Sequence, residues 1–129
     1  MAKKDDRPID VGLAALSGAD ETTATAFWKK RMELIAAIPS EIARVGALTP
    51  QLRELTRTPN DAERERLTRA RVVAFAQLSA DDRQKVGAAR AAAWDVDADV
   101  MQKDQALVDK ILPTVDAGVR SVYPSAPGR

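Results

Sequence analysis

Three carboxylates at alternate positions, Asp95, Asp97 and Asp99, are the arrangement in this sequence nearest to a metal site. They match the opening of a calcium loop, in which closely spaced oxygen ligands wrap a hard cation. Such a loop also needs glycine at its sixth position and an acid at its twelfth, where this chain has Val100 and Ala106. The triplet is therefore expected to cap a helix and face water. Acids elsewhere at helical spacing lack the Glu-x-x-His companion of a di-iron bundle, and the chain has no histidine. No metal ligand set and no cofactor are expected.

The absence of both histidine and cysteine excludes more than metals. It removes Ser-His-Asp and thiolate catalysis, disulfides, histidine-ligated haem and every ordinary structural zinc site. No catalytic residue is expected, and the chain is read as a non-enzyme.

Arginine is the remaining chemical signal. Arg64, Arg66, Arg69 and Arg71 recur along one stretch, and the chain carries thirteen Arg against seven Lys, a bias that suits bidentate contact with phosphates or carboxylates. These four are the candidate anion contacts. Against that role, Glu63 and Glu65 are interleaved, the four spread around the helix, and no glycine-rich phosphate loop or aromatic stacking platform accompanies them. A solvated, salt-bridged face is the simpler expectation. Residues 41–90 hold ten Lys/Arg against seven Asp/Glu, net +3, whereas residues 95–116 hold two against six, net −4. The two stretches should attract, within one chain or between neighbouring chains.

The elements that would position these residues are helices. With 129 residues the chain is large enough for one hydrophobic core. Seven prolines and six glycines fall mostly between helically periodic segments, and alternating β-branched runs are few. The expected fold is all-α, a single bundle of about five to six helices, some short. Residues 1–20 are expected to be a flexible arm, 21–123 the helical domain and 124–129 a flexible tail. The arm carries one apolar cluster, Ile9, Val11, Leu13 and Leu16, which either docks on the bundle or reaches another chain.

A first helix is expected from about Asp20 to Ile38, with Ala24, Phe27, Trp28, Met32, Leu34, Ile35 and Ile38 inward. Arg31 falls inside that apolar arc, so it must snorkel, pair with an acid or hold an anion. Two short helices should follow: residues 40–48 with Ile42, Val45 and Leu48 inward, then Pro50 to about Arg57, with Thr49 as N-cap and Pro50 as its first residue. Residues 60–94 carry the paired-helix signal on which the bundle is expected to centre. Leu67, Ala70, Ala74 and Leu78 share a face, Val72 to Ala76 is apolar all round, and Ser79 with Asp82 starts a second helix along the narrow stripe Val86, Ala89 and Ala93. A further helix, capped by Asp97 or Asp99 and running to about Leu112, should place Val100, Met101, Leu107, Val108, Ile111 and Leu112 inward, with Gln102, Lys103, Gln105, Asp109 and Lys110 mainly outside.

The strings Leu78-Ser79-Ala80-Asp81-Asp82 and Leu48-Thr49-Pro50-Gln51-Leu52 resemble the LTxxQ helix starts of small periplasmic Spy-like chaperones. Both lack glutamine at the fifth place, so the resemblance implies helix starts alone. No residue role is carried over. The amino-terminal residues have no apolar run of a secretory signal, no stretch is long enough to span a bilayer, and a cytoplasmic location is expected.

These constraints point to a non-catalytic helical subunit or adaptor that holds a partner protein or its own copies, including as an accessory component of an enzyme complex. Phe27, Trp28, Arg31, Val72, Phe75 and Trp94 are the candidate partner-binding residues. The alternative is a helical nucleic-acid-associated protein that uses the arginine-rich helix.

Overall fold

The computed structural model describes Leu16 and residues 18–124; of the arm's apolar cluster, Ile9, Val11 and Leu13 lie outside the described residues. Among the described residues there are six α-helices and no strand: α1 (Glu21–Ala36), α2 (Glu41–Thr56), α3 (Asp61–Ala76), α4 (Ala80–Val96), α5 (Ala98–Ile111) and α6 (Ala117–Val122), with a 3-10 turn at Leu112–Thr114. The all-α bundle expected from periodicity is the fold that forms.

Five of the helices start on a side-chain cap that satisfies one of the orphan N–H groups of the first turn. Asp20 accepts from the Thr23 N–H at 2.7 Å, Asn60 from Glu63 at 2.9 Å, and Ser79 from Asp82 at 3.1 Å. Asp97 accepts from Val100 at 3.2 Å and Ser40 from Ala43 at 3.3 Å. Asp97 is thus the member of the aspartate triplet that caps α5, and Asp95 and Asp99 are exposed.

The expected break at Thr49-Pro50 does not occur, because both residues lie inside the continuous α2. Pro50 has no N–H, so the Gly46 carbonyl four residues back loses its helical partner. Both positions are exposed, which lets water take that carbonyl, and glycine at 46 reduces crowding against the proline ring. Thr49 turns its hydroxyl back to the Val45 carbonyl at 2.8 Å instead of capping a new helix. What carries the helix through is burial: Val45, Leu48, Leu52 and Leu55 form one buried stripe, and tertiary packing outweighs the local cost. The Spy-like string at Leu48 therefore sits mid-helix, while the one at Leu78 does start a helix. Ile42, expected inward, is 85% exposed; it stands in the first turn of α2, ahead of Val45, where burial along the helix begins.

Two apolar clusters make the core. In the first, Trp28 and Met32 of α1 meet Leu67, Ala70, Val72, Ala74 and Phe75 of α3, with Leu78, Val108, Ile111 and Tyr123 around them. Leu16 is buried in this cluster, and its carbonyl accepts from Arg66 Nη2 at 3.1 Å, so the end of the amino-terminal arm docks on α3. In the second, Leu48 and Leu52 of α2 meet Ala89 and Ala93 of α4, with Ile35, Val100 and Met101. The small side chains on α4 allow a close approach to α2. Within the all-apolar half of α3, Val72, Ala74 and Phe75 are buried, while Val73 and Ala76 are half-buried.

Candidate functional site

Asp104 on α5 is fully buried and was not singled out by periodicity. Its Oδ1 accepts from Arg71 Nη2 of α3 at 2.6 Å and its Oδ2 from Arg90 Nη2 of α4 at 2.7 Å. Three helices are thereby tied at one carboxylate. Arg71 also donates through Nη1 to the Tyr123 hydroxyl at 2.8 Å, and Arg90 donates to Gln105 Oε1 at 3.1 Å. Gln105, expected outside, is buried for this reason, with its amide donating to Asp109 at 2.8 Å. The Tyr123 ring packs edge-on against Phe75 at 5.3 Å and lies 5.6 Å from the Arg90 guanidinium carbon.

Burial alone would lower the Arg71 pKa, but the Asp104 charge, assisted by Tyr123, outweighs it and holds the guanidinium above its ordinary range. Such a guanidinium stays charged, and it cannot act as a proton donor near neutral pH.

Arg31 is also fully buried. It donates to Gln51 Oε1 on α2 and lies over the rings of Phe27 at 4.3 Å and Trp28 at 5.6 Å, so it joins α1 to α2 from within.

The arginine-rich face of α3 is committed to the fold. Arg71 is in the triad, and Arg64 bonds Asp61 and the Thr58 carbonyl. Arg66 bonds Glu63 at 2.6 Å as well as the Ala19 and Leu16 carbonyls. Arg69 Nε donates to the Thr114 hydroxyl at 3.3 Å. The basic middle and the acidic stretch meet within the chain through Arg71–Asp104, Arg90–Asp104 and Arg53–Asp97 at 3.0 Å, while Lys110 and Glu65, paired at 2.5 Å, join the same stretches with the signs reversed.

Of the candidate partner-binding residues, Trp28, Arg31, Val72 and Phe75 are buried and serve the core, while Phe27 and Trp94 are half-buried. They do not form one surface. The surface that sequence reasoning missed is the outer side of α2, where Ile42, Ala43, Gly46 and Pro50 are all exposed and uncharged. Its signal was available in the spacing of Ile42, Gly46 and Pro50 at i, i+4 and i+8, but the expected break at Pro50 concealed it.

No group of three or more His, Cys, Asp or Glu placed to share an ion occurs among the described residues, and none of their helices is long and apolar enough to cross a membrane. In comparisons with protein-family models, curated proteins and solved structures, nothing matches this chain.

Proposed function

We propose that this protein is a non-catalytic helical subunit or adaptor that works by protein–protein association, and that its docking surface is the outer face of α2. The observation that carries this reading is Ile42, 85% exposed and followed along the same side by Gly46 and Pro50 with no charge between them, in a chain that is 30% charged. An isoleucine so placed contributes nothing to its own core, whereas burial against a second helix would stabilise a complex.

The occupant that fits is a second copy of this chain. Ile42, Gly46 and Pro50 are exposed at i, i+4 and i+8, so two α2 helices paired antiparallel about Gly46 would set Ile42 of each copy against Pro50 of the other. The small residues between them permit close helix approach. An adaptor role in a larger complex then rests on the faces that this pairing leaves open.

Sedimentation over a concentration series tests this, comparing the wild type with Ile42→Asp. The expected result is a dimer for the wild type and a monomer for Ile42→Asp with an unchanged circular dichroism spectrum. A wild type that stays monomeric throughout, or an Ile42→Asp variant that still dimerises, would overturn the pairing.

A further inference from the structure

The apolar half of α3, Val72 to Ala76, is not covered on every side: Val73 and Ala76 are only half-buried. Beside Val73 runs an open groove of about 580 Å³ between α1 and α3. Val73 and Gln77 line it from α3, and Thr22, Ala26 and Lys29 are among the residues that line it from α1. No residue of α2 belongs to it, so it is separate from the face around Ile42.

The amino-terminal arm arrives at one end of this groove. Leu16 is buried in the first cluster, and Arg66 holds the Leu16 carbonyl at 3.1 Å together with the Ala19 carbonyl. Val73 and Gln77 follow Arg66 at i+7 and i+11, which puts the three on one side of α3, with Val73 about 10 Å and Gln77 about 16 Å beyond Arg66. An extended chain covers roughly 3.3 Å per residue. Running back from Leu16 along the groove, it would bring Leu13 beside Val73, Val11 beside Gln77 and Ile9 to the far end. In that conformation alternate residues share a face, and Ile9, Val11 and Leu13 are the arm's large apolar side chains at alternate positions.

We propose that residues 9–13 of this chain lie extended in the groove between α1 and α3, with Ile9, Val11 and Leu13 turned into it, and so complete the cover of the apolar half of α3. The charged residues of the groove balance, two Lys against two Glu, and so do the side chains of residues 1–15, three basic against three acidic. Apolar burial therefore holds the segment, and moderate salt should not release it.

The chain has no cysteine, so disulfide trapping in the full-length protein tests this cleanly. Ala26 is exposed and lines the groove. Leu13→Cys combined with Ala26→Cys should oxidise to a bridge within one chain, because a disulfide needs Cα atoms within about 7 Å. The comparison is Leu13→Cys with Ala91→Cys, an exposed position on α4 that does not line the groove. It should bridge about tenfold more slowly, since docking raises the effective concentration at Ala26 above that of a free tether. With the cysteines absent, Leu13→Asp should lower the urea midpoint, while Ala2→Asp, ahead of the docked segment, should leave it unchanged. Equal bridging rates for the two pairs, a bridge between two chains at Ala26, or a midpoint unmoved by Leu13→Asp would each overturn the proposal. The second of these would give the groove to the arm of a neighbouring copy.

Discussion

Arg71 on α3 reaches the Oδ1 of Asp104 on α5 at 2.6 Å, and neither side chain has appreciable contact with water. With Arg90 on the other carboxylate oxygen, the charges are unequal, and that predicts unequal mutational costs. Removing Asp104 strands two buried guanidiniums, so Asp104→Asn should cost about 3–5 kcal/mol in urea unfolding. Removing Arg90 leaves one guanidinium on one carboxylate, so Arg90→Met, which keeps much of the volume, should cost less than about 2 kcal/mol. Equal losses would show that the carboxylate is not the pivot.

Tyr123 and Phe75 give a second prediction, because they share an edge-to-face contact but differ in what else they do. Phe75→Ala should cost about 3–5 kcal/mol through the cavity it leaves in the first cluster. Tyr123→Phe keeps the ring and deletes only the acceptor for Arg71 Nη1, at about 1–3 kcal/mol for the donor left unpaired. A loss below about 1 kcal/mol for Phe75→Ala would contradict its burial.

The all-α class, the α1 and α3 core faces, the helix start at Ser79 and an α5 cap at Asp97 or Asp99 were legible because each rests on local periodicity or local hydrogen bonding. Asp104 was not, because helical periodicity marks apolar positions and a buried charge looks like a surface one until its partners on α3 and α4 are in place. Pro50 misled for a similar reason: its local cost is real, but the stripe Val45, Leu48, Leu52 and Leu55 is buried on both sides of it. One legible signal was passed over. Arg44, Arg64, Arg83 and Arg120 each stand four residues after a helix N-cap, Ser40, Asn60, Ser79 and Asp116. Each donates to a carbonyl preceding its helix: Ile38 at 2.5 Å, Thr58, Leu78 at 2.7 Å, and Leu112 and Val115 at 3.1 Å. Much of the arginine bias therefore serves the connections between helices, where a planar fork reaches orphan carbonyls.

Pro50 supplies a third prediction, with the opposite sign from most substitutions. Because the residue is exposed inside a continuous helix, Pro50→Ala restores an N–H to the Gly46 carbonyl and should stabilise the protein by about 1–3 kcal/mol. The midpoint of urea unfolding measures it. Destabilisation would mean that the proline shapes a bend the fold requires.

The response to acid follows from three carboxylates held below their ordinary pKa. Asp20 is lowered chiefly by the Thr23 backbone N–H, Asp97 by the Val100 backbone N–H and then Arg53, and Glu65 by its bond to Lys110. A group with a depressed folded pKa adds stability above its unfolded value and loses it as pH falls through the folded one. Stability should therefore decline below about pH 4.5, starting near the ordinary values of 4.5 for Glu65 and 3.8 for the two aspartates. Between about pH 5 and 8 these groups add no slope, and the chain has no histidine or cysteine to supply one. Urea midpoints at intervals from pH 3 to 8 check this, and a steep change near neutrality would contradict it.

The last prediction concerns nucleic acid, the alternative use of Arg64, Arg66 and Arg69. A phosphate-binding face would release counterions, giving a log-log salt slope of about −0.9 per phosphate neutralised, and removing one arginine would flatten that slope by about one unit. In this structure binding would first require Arg66 to leave Glu63 and the Leu16 and Ala19 carbonyls, and Arg64 to leave Asp61 and Thr58. Those exchanges replace a protein partner with a phosphate and gain little, so DNA affinity at physiological salt should be weaker than micromolar. Association through Ile42, driven by apolar burial, should by contrast change little between low and moderate salt. Titrating labelled duplex DNA beside sedimentation of the protein alone, each at two salt concentrations, separates these outcomes. Submicromolar DNA binding that weakens when Arg66 is replaced by Ala, together with a monomer in sedimentation, would transfer the functional surface from α2 to α3.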